Sequence, residues 1–351
     1  MSAKSAPTAR RPLRVAQLAP IAKAVRPDSG DSIEQLVALL TEELVRRGHD
    51  VTLYATGDSV TSARLRSRRA VGYDEDPELW DWQFAEFLHA ALPFERGAEH
   101  DLVHAHNYHF TLPFAGVADI PLLETSHVTS SPEVLKTLRR QQNLHVAAIS
   151  GYQRDLIGAG SNVSVIHHGI AVDEFPFGDR GGDYLLFLGR MIPDKGPLEA
   201  VRVAAAVGMP LVLAGPLDEE HDLDLESVVD GTRVRWVGQV DASERNRLLA
   251  GAAALLFPNT YPEPFGLVLV EAMACGTPVV ATAMGAVPEI VGEGVSGFTA
   301  PTWEGLAELV APAVELDRRA VRRWARERFD FRRMVDDYEA LYHRIVDERS
   351  A

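Results

Sequence analysis

Phe257-Pro258-Asn259-Thr260-Tyr261-Pro262-Glu263-Pro264-Phe265-Gly266-Leu267-Val268-Leu269-Val270-Glu271-Ala272-Met273-Ala274-Cys275-Gly276-Thr277-Pro278-Val279-Val280 is the stretch whose local structure decides the fold. The apolar run Ala252 to Phe257 predicts a short buried strand, Pro258 to Pro264 a stiff loop, and Phe265 to Cys275 a helix that Gly276 and Pro278 end. Strand, loop, helix and strand in that order form one unit of a parallel α/β sheet. The first amides of such a helix lack intrahelical partners and the positive end of its dipole faces the loop, so the end suits a phosphate. Gly266 leaves the approach open, and Pro264 gives up an N–H the helix would not use. Glu263 stands just outside this end and Glu271 about two turns along, on the order of 12 Å away at ~1.5 Å per residue. Two carboxylates bracketing an anion site suit a ligand with a polyol, a diphosphate and a ribose, which is a nucleotide sugar.

The pattern Glu263-Pro264-Phe265-Gly266 followed by Glu271-Ala272-Met273-Ala274-Cys275-Gly276-Thr277-Pro278 resembles the E-x7-E signature of retaining nucleotide-sugar glycosyltransferases of family 4, which have the GT-B fold. The resemblance implies two Rossmann-like domains facing across a cleft, with the C-terminal helix crossing back to the first. It implies that Glu263 contacts sugar hydroxyls, that Pro264, Phe265, Gly266 and Leu267 face sugar or phosphate, and that Glu271 holds the ribose.

The 351 residues are long for one core and suit two α/β domains. A net charge of −15 argues against a nucleic-acid binder that depends on counterion release, and weakly against anionic membranes. No apolar run approaches the ~18 residues of a membrane span, and no signal peptide opens the chain. The single cysteine, Cys275, allows no internal disulfide, so the expected setting is the cytoplasm. Residues 1–11 read as a disordered tail, 12–172 with 331–351 as the acceptor-side domain, and 173–330 as the donor-binding domain.

In the first half, predicted strands at Leu13 to Leu18, Val51 to Ala55, Leu102 to His106, Pro121 to Thr125, Val146 to Ser150 and Val163 to Ile166 alternate with helices, the doubly wound α/β pattern. Ligands of such sheets sit beyond the strands' carboxyl ends, which nominates residues 19–30, His106, Ser126 and Ser150. The resembling family has two adjacent glycines in the first loop; here only Gly30 of Asp28-Ser29-Gly30-Asp31 matches, and Gly30 is taken as a donor-phosphate contact. His127 matches a histidine the family places beside the transferred sugar; His106 and Ser126 are candidates for the acceptor side. His104, His106 and His109 have no carboxylate pair to complete a metal site. Leu79 to Phe94, with Trp80, Trp82, Phe84 and Phe87, is expected to be core. The run Arg64, Arg66, Arg68 and Arg69 is expected to be a solvated face, with a phosphorylated acceptor as the sharper alternative.

In the second half, predicted strands at Tyr184 to Leu188, Leu211 to Ala214, Val234 to Val237, Ala253 to Phe257 and Val279 to Ala281 make a second parallel sheet. Gly189-Arg190-Met191-Ile192-Pro193-Asp194-Lys195-Gly196 follows its first strand, and two cations on a glycine-flanked loop can close on a diphosphate. The resembling family has the same placement. By resemblance, Gly238, Gln239 and Val240 hold the base. Asp222-Leu223-Asp224 is read as a solvated loop, and no metal or cofactor is expected.

The function expected is retaining transfer of a hexose from a nucleoside-diphosphate sugar to a small soluble acceptor, with a UDP-sugar as first choice and GDP-mannose as second. The alternatives are a non-catalytic nucleotide-sugar sensor or scaffold, and a same-fold epimerase.

Overall fold

The computed structural model describes residues 11–27, 32–141, 143–158, 160, 162–218, 223–225 and 227–350. Gly30 with its neighbours in the first loop, the tail 1–10 and Asp222 lie outside the described residues.

The first sheet has seven strands, β1 (Arg14–Leu18), β2 (Asp50–Tyr54), β3 (Arg64–Arg66), β4 (Leu102–Ala105), β5 (Leu122–Ser126), β6 (Leu144–Ala148) and β7 (Val163–Val165), in the order β3-β2-β1-β4-β5-β6-β7. The pairs from β3 through to β5 run parallel. The second sheet has β8 (Leu185–Leu188), β9 (Leu211–Ala214), β10 (Val234–Trp236), β11 (Ala254–Phe257), β12 (Val279–Thr282) and β13 (Gly297–Ala300), all parallel, in the order β10-β9-β8-β11-β12-β13. Both orders step outward, return to the centre and step out the other way, as in dinucleotide-binding sheets, so each has a switch point, at β1/β4 and at β8/β11.

Strand β11 shows why the apolar runs are continuous. Leu255 and Phe257 enter one core, shared with Leu269 and Met273 of the helix Leu267–Ala274; Ala254 and Leu256 enter the other, shared with Val203 of the helix Pro197–Val207. Successive side chains take opposite faces, and helices cover both, so every position is apolar.

Contacts divide the chain into two compact units, 1–125 with 140–146 and 339–351, and 126–139 with 147–338. The final helix, Phe331–Ser350, therefore begins in the second unit and ends in the first. Its end is held there by polar contacts. Tyr342 Oη lies 2.6 Å from His104 Nδ1 and accepts the Gln17 amide at 2.9 Å, while Arg47 pairs with Glu339 at 2.7 Å. All three members of the Tyr342 cluster are fully buried. Tyr342→Phe removes the shared oxygen and is expected to cost about 1–3 kcal/mol, measurable as a lower urea midpoint with an unchanged slope.

The structure corrects two expectations. The aromatic stretch is surface rather than core: Trp80 is 97% exposed and Phe84 58%. The helix Trp82–Ala90 turns Glu86 and His89 inward instead, where Glu86 accepts the Ile21 amide at 2.7 Å and His89 Nε2 sits 3.2 Å from the Ala19 carbonyl. The inward face of this helix is taken by its bonds to the loop after β1, which leaves the aromatics facing outward. Two edge strands, β3 and β13, are additions. Strand β3 lies within the arginine run, whose Arg64, Arg66, Arg68 and Arg69 pair with Asp50, Glu99, Glu95 and Asp76.

Candidate active site

The β8/β11 switch point places two loops side by side, 189–196 after β8 and 258–266 after β11. Their closeness is set by glycine. Gly196 has φ +75°, and a Cβ there would stand 2.3 Å from the Pro258 carbonyl oxygen; the Thr260 amide reaches the Asp194 carbonyl at 3.0 Å. Lys195, at the end of the turn Pro193–Lys195, thereby brings its Nζ 2.5 Å from Glu263 Oε2. Asn259 Nδ2 donates to the same oxygen at 3.1 Å.

Behind Glu263, Gly285 (φ +64°) packs so tightly that a Cβ would meet the Glu263 carbonyl oxygen at 2.3 Å, and the Ala286 amide donates to that oxygen at 2.8 Å. Gly266 has φ +89° and caps the helix Leu267–Ala274, which starts later than expected because a left-handed residue cannot lie inside a right-handed helix. Phe265 is a buried packing residue: its ring meets His168 edge-on at 5.1 Å and Phe329 at 6.0 Å. Pro264 is half-buried in the loop before it, and Leu267 is half-buried at the helix start.

Glu271 is 13% exposed and 3.4 Å from Arg245 of the helix Ala242–Gly251. Burial pushes its carboxyl up, with Arg245 opposing. Arg190, in the loop after β8, is 63% exposed and 4.0 Å from Asp218. Gly238 (φ +72°) follows β10, and its carbonyl accepts the Gly215 amide at 2.8 Å; Gln239 is exposed and Val240 half-buried.

His127 lies against His168, with Nδ1 to Nε2 at 3.3 Å and ring centroids 5.1 Å apart. Burial pushes the His127 imidazole down to about 3, so the ring is neutral at pH 7. Its unfolded value is 6.5, so between 6.5 and about 3 the unfolded chain binds the extra proton and stability falls on acidification. The urea midpoint is expected to drop from pH 7 to pH 5, with buried His168 and His89 contributing in the same sense, and His127→Asn to lessen that drop. Ser126 ends β5, its Oγ 3.3 Å from Ser130 Oγ. His106 is 2% exposed with Nε2 2.9 Å from Gln17 Oε1, and its ring centroid is 4.0 Å from that of His104.

Sequence reasoning missed Asn259 and Arg245, and read Glu289 only as a charge at a helix end. Glu289 accepts the Gly151 and Tyr152 amides at 2.7 Å each and lies 3.3 Å from His167 Nε2; burial opposes ionisation, but these bonds hold its carboxylate below the usual range. Asn259 had a signal, four residues before Glu263 in the same stiff loop; Arg245 and Glu289 are joined to their partners only by the fold.

A family model described as glycosyl transferases group 1 matches residues 175–328, and the Glycosyltransferase Family 4 model matches 33–174. The chain is a GT-B glycosyltransferase. Relatives of this glycosyltransferase include a glycogen synthase of Mycobacterium tuberculosis, 29% identical over 82% of the chain and 83% of the relative. A D-inositol 3-phosphate glycosyltransferase of Mycobacterium avium is 29% identical over 96% of the chain and 95% of the relative. Among solved structures, AviGT4, a glycosyltransferase of avilamycin A biosynthesis, superposes with a TM-score of 0.73 at 26% identity, over 96% of this chain and 98% of that one. No helix among the described residues of the glycosyltransferase is long and apolar enough to cross a membrane.

Proposed function

We propose that the enzyme transfers a hexose from a nucleoside-diphosphate sugar to a small soluble acceptor in the cytoplasm, with retention of configuration and without a metal ion. A UDP-sugar is the first choice of donor and GDP-mannose the second. The observation that carries the reading is the Lys195–Glu263 pair at 2.5 Å beside the start of the helix Leu267–Ala274. A carboxylate for sugar hydroxyls and a cation for a phosphate meet there at a helix's positive end. Lys195, Arg190 and the amides from Phe265 to Leu267 stabilise the departing diphosphate, where negative charge develops. Glu263 orients the sugar, Glu271 the ribose, and the loop Gly238 to Val240 the base. Neutral His127 offers the sugar a hydrogen bond without adding charge, and His106 and Ser126 stand on the acceptor side. Departure and attack occur on the same face of the sugar, with the leaving phosphate taking the acceptor's proton. A relative named for D-inositol 3-phosphate supports a small polyol acceptor.

The test is thermal unfolding with UDP, GDP, ADP and TDP, each with and without EDTA. One diphosphate at about a hundred times its Kd is expected to add ~2.7 kcal/mol of stability, unchanged by EDTA. A shift with none of them contradicts the donor site, and a shift abolished by EDTA contradicts metal independence.

A further inference from the structure

On the second unit, the helix Arg318–Phe329 and the side chain of Phe177 form an open surface pocket of about 400 Å³ lined by Phe177, Arg319, Arg322, Arg323 and Arg326. The four arginines are spaced i, i+3, i+4 and i+7, so they share one helix face. The guanidinium carbons of Arg319 and Arg322 each lie 5.7 Å from the Phe177 ring centroid. Phe177 is fixed from behind by Gly276, where a Cβ would come within 2.6 Å of the ring.

The arginines differ in what they already hold. Arg322 donates to the Val172 and Phe175 carbonyls at 3.0 and 2.9 Å, which fixes it in place. Arg326 pairs with Asp173, and Arg323 lies 3.7 Å from Asp317, both members of each pair being at least half exposed. Such exposed pairs contribute little and yield to a better anion. Arg319 has no carboxylate within ion-pair distance among the described residues. The chain as a whole has a net charge of −15, yet residues 318–333 hold eight arginines against two acids. Any attraction for an anion therefore belongs to this basic segment rather than to the chain as a whole, and four of its arginines line the pocket.

We propose that this pocket is a second ligand site, separate from the nucleotide-sugar site, that binds a small phosphorylated molecule with its phosphate in the arginine fork and its carbon skeleton on the Phe177 ring. Planar guanidiniums bind phosphate oxygens in pairs, and the volume falls in the range of small-molecule sites. A membrane surface fits less well, because Phe177 is the sole apolar residue lining the pocket.

The experiment is calorimetric titration of the full chain with inorganic pyrophosphate at constant ionic strength. It is done in an Arg190→Ala/Lys195→Ala background, which removes the donor-side cations. One-to-one binding is expected to persist there, to weaken about tenfold or more on adding Arg319→Ser/Arg323→Ser, and to stay within about twofold on adding Arg332→Ser/Arg333→Ser, an equal loss of charge outside the pocket. Arg319→Glu alone serves the same purpose if the double change lowers the melting temperature. No saturable binding, or equal losses from both double changes, would overturn the proposal. Binding to phosphatidylserine vesicles that is lost in Arg319→Ser/Arg323→Ser, with no pyrophosphate binding, would also overturn it and assign the face to a membrane surface.

Discussion

Glu263→Ala is expected to lower kcat about a hundredfold or more while leaving affinity for the free nucleoside diphosphate unchanged or tighter. The carboxylate now neutralises Lys195 at 2.5 Å. Removing it would free the ammonium for phosphate, so on the proposed reading the product diphosphate would gain attraction while the sugar would lose its orienting group. The loss falls on an interaction made in the transition state, where about 3 kcal/mol is typical for a buried charge-stabilising contact. Lys195→Ala is expected to behave oppositely, weakening the diphosphate about tenfold and leaving the Glu263 carboxylate, among the described residues, with the Asn259 amide at 3.1 Å. Steady-state kinetics with calorimetry on both variants separates the roles. Parallel losses of turnover and nucleotide affinity in Glu263→Ala would sink the division of labour.

Gly285→Ala is the second large effect. At φ +64° any side chain incurs left-handed strain of about 1–2 kcal/mol, and the added carbon would stand 2.3 Å from the Glu263 carbonyl oxygen and 2.6 Å from its nitrogen. Both atoms belong to backbone, so relief requires moving the segment that carries the Glu263 carboxylate, at about 1–3 kcal/mol more. Gly208 provides the control, with φ +69° and nothing within 4 Å of its Cβ position. Gly208→Ala is expected to show only the strain, with kcat unchanged. Gly285→Ala is expected to show a larger drop in urea midpoint and a fall in kcat. Equal stability losses with normal turnover in both would mean that the Glu263 loop is not clamped from behind.

The placement of Glu263 and Lys195 illustrates how much of the candidate site the chain announces locally. The apolar runs ending at Leu188 and Phe257 give the two strands, and Gly196 and Gly266 mark the turns after them, so a loop with a lysine and a loop with a glutamate were both visible beforehand. Local pattern misjudged the aromatic stretch around Trp80, because the periodicity of a nine-residue helix does not say which face the rest of the fold will cover. It also passed over β3 and β13, edge strands of three and four residues with too little apolar content to stand out.

By itself the sequence determined the two parallel sheets, because continuous apolar runs at α/β spacing can be buried only between two layers of helices. It also announced the residue types of the candidate site, because the glycines and prolines there shape the backbone within a few residues of the two carboxylates. Only the tertiary structure decided which groups touch: Lys195 with Glu263 across 68 positions, Glu289 with the amides at 151 and 152, and Tyr342 with His104 across 238. Each contact depends on strand order and on which face a helix turns inward. Those are set by the packing of the whole sheet, and no local pattern of residues encodes them.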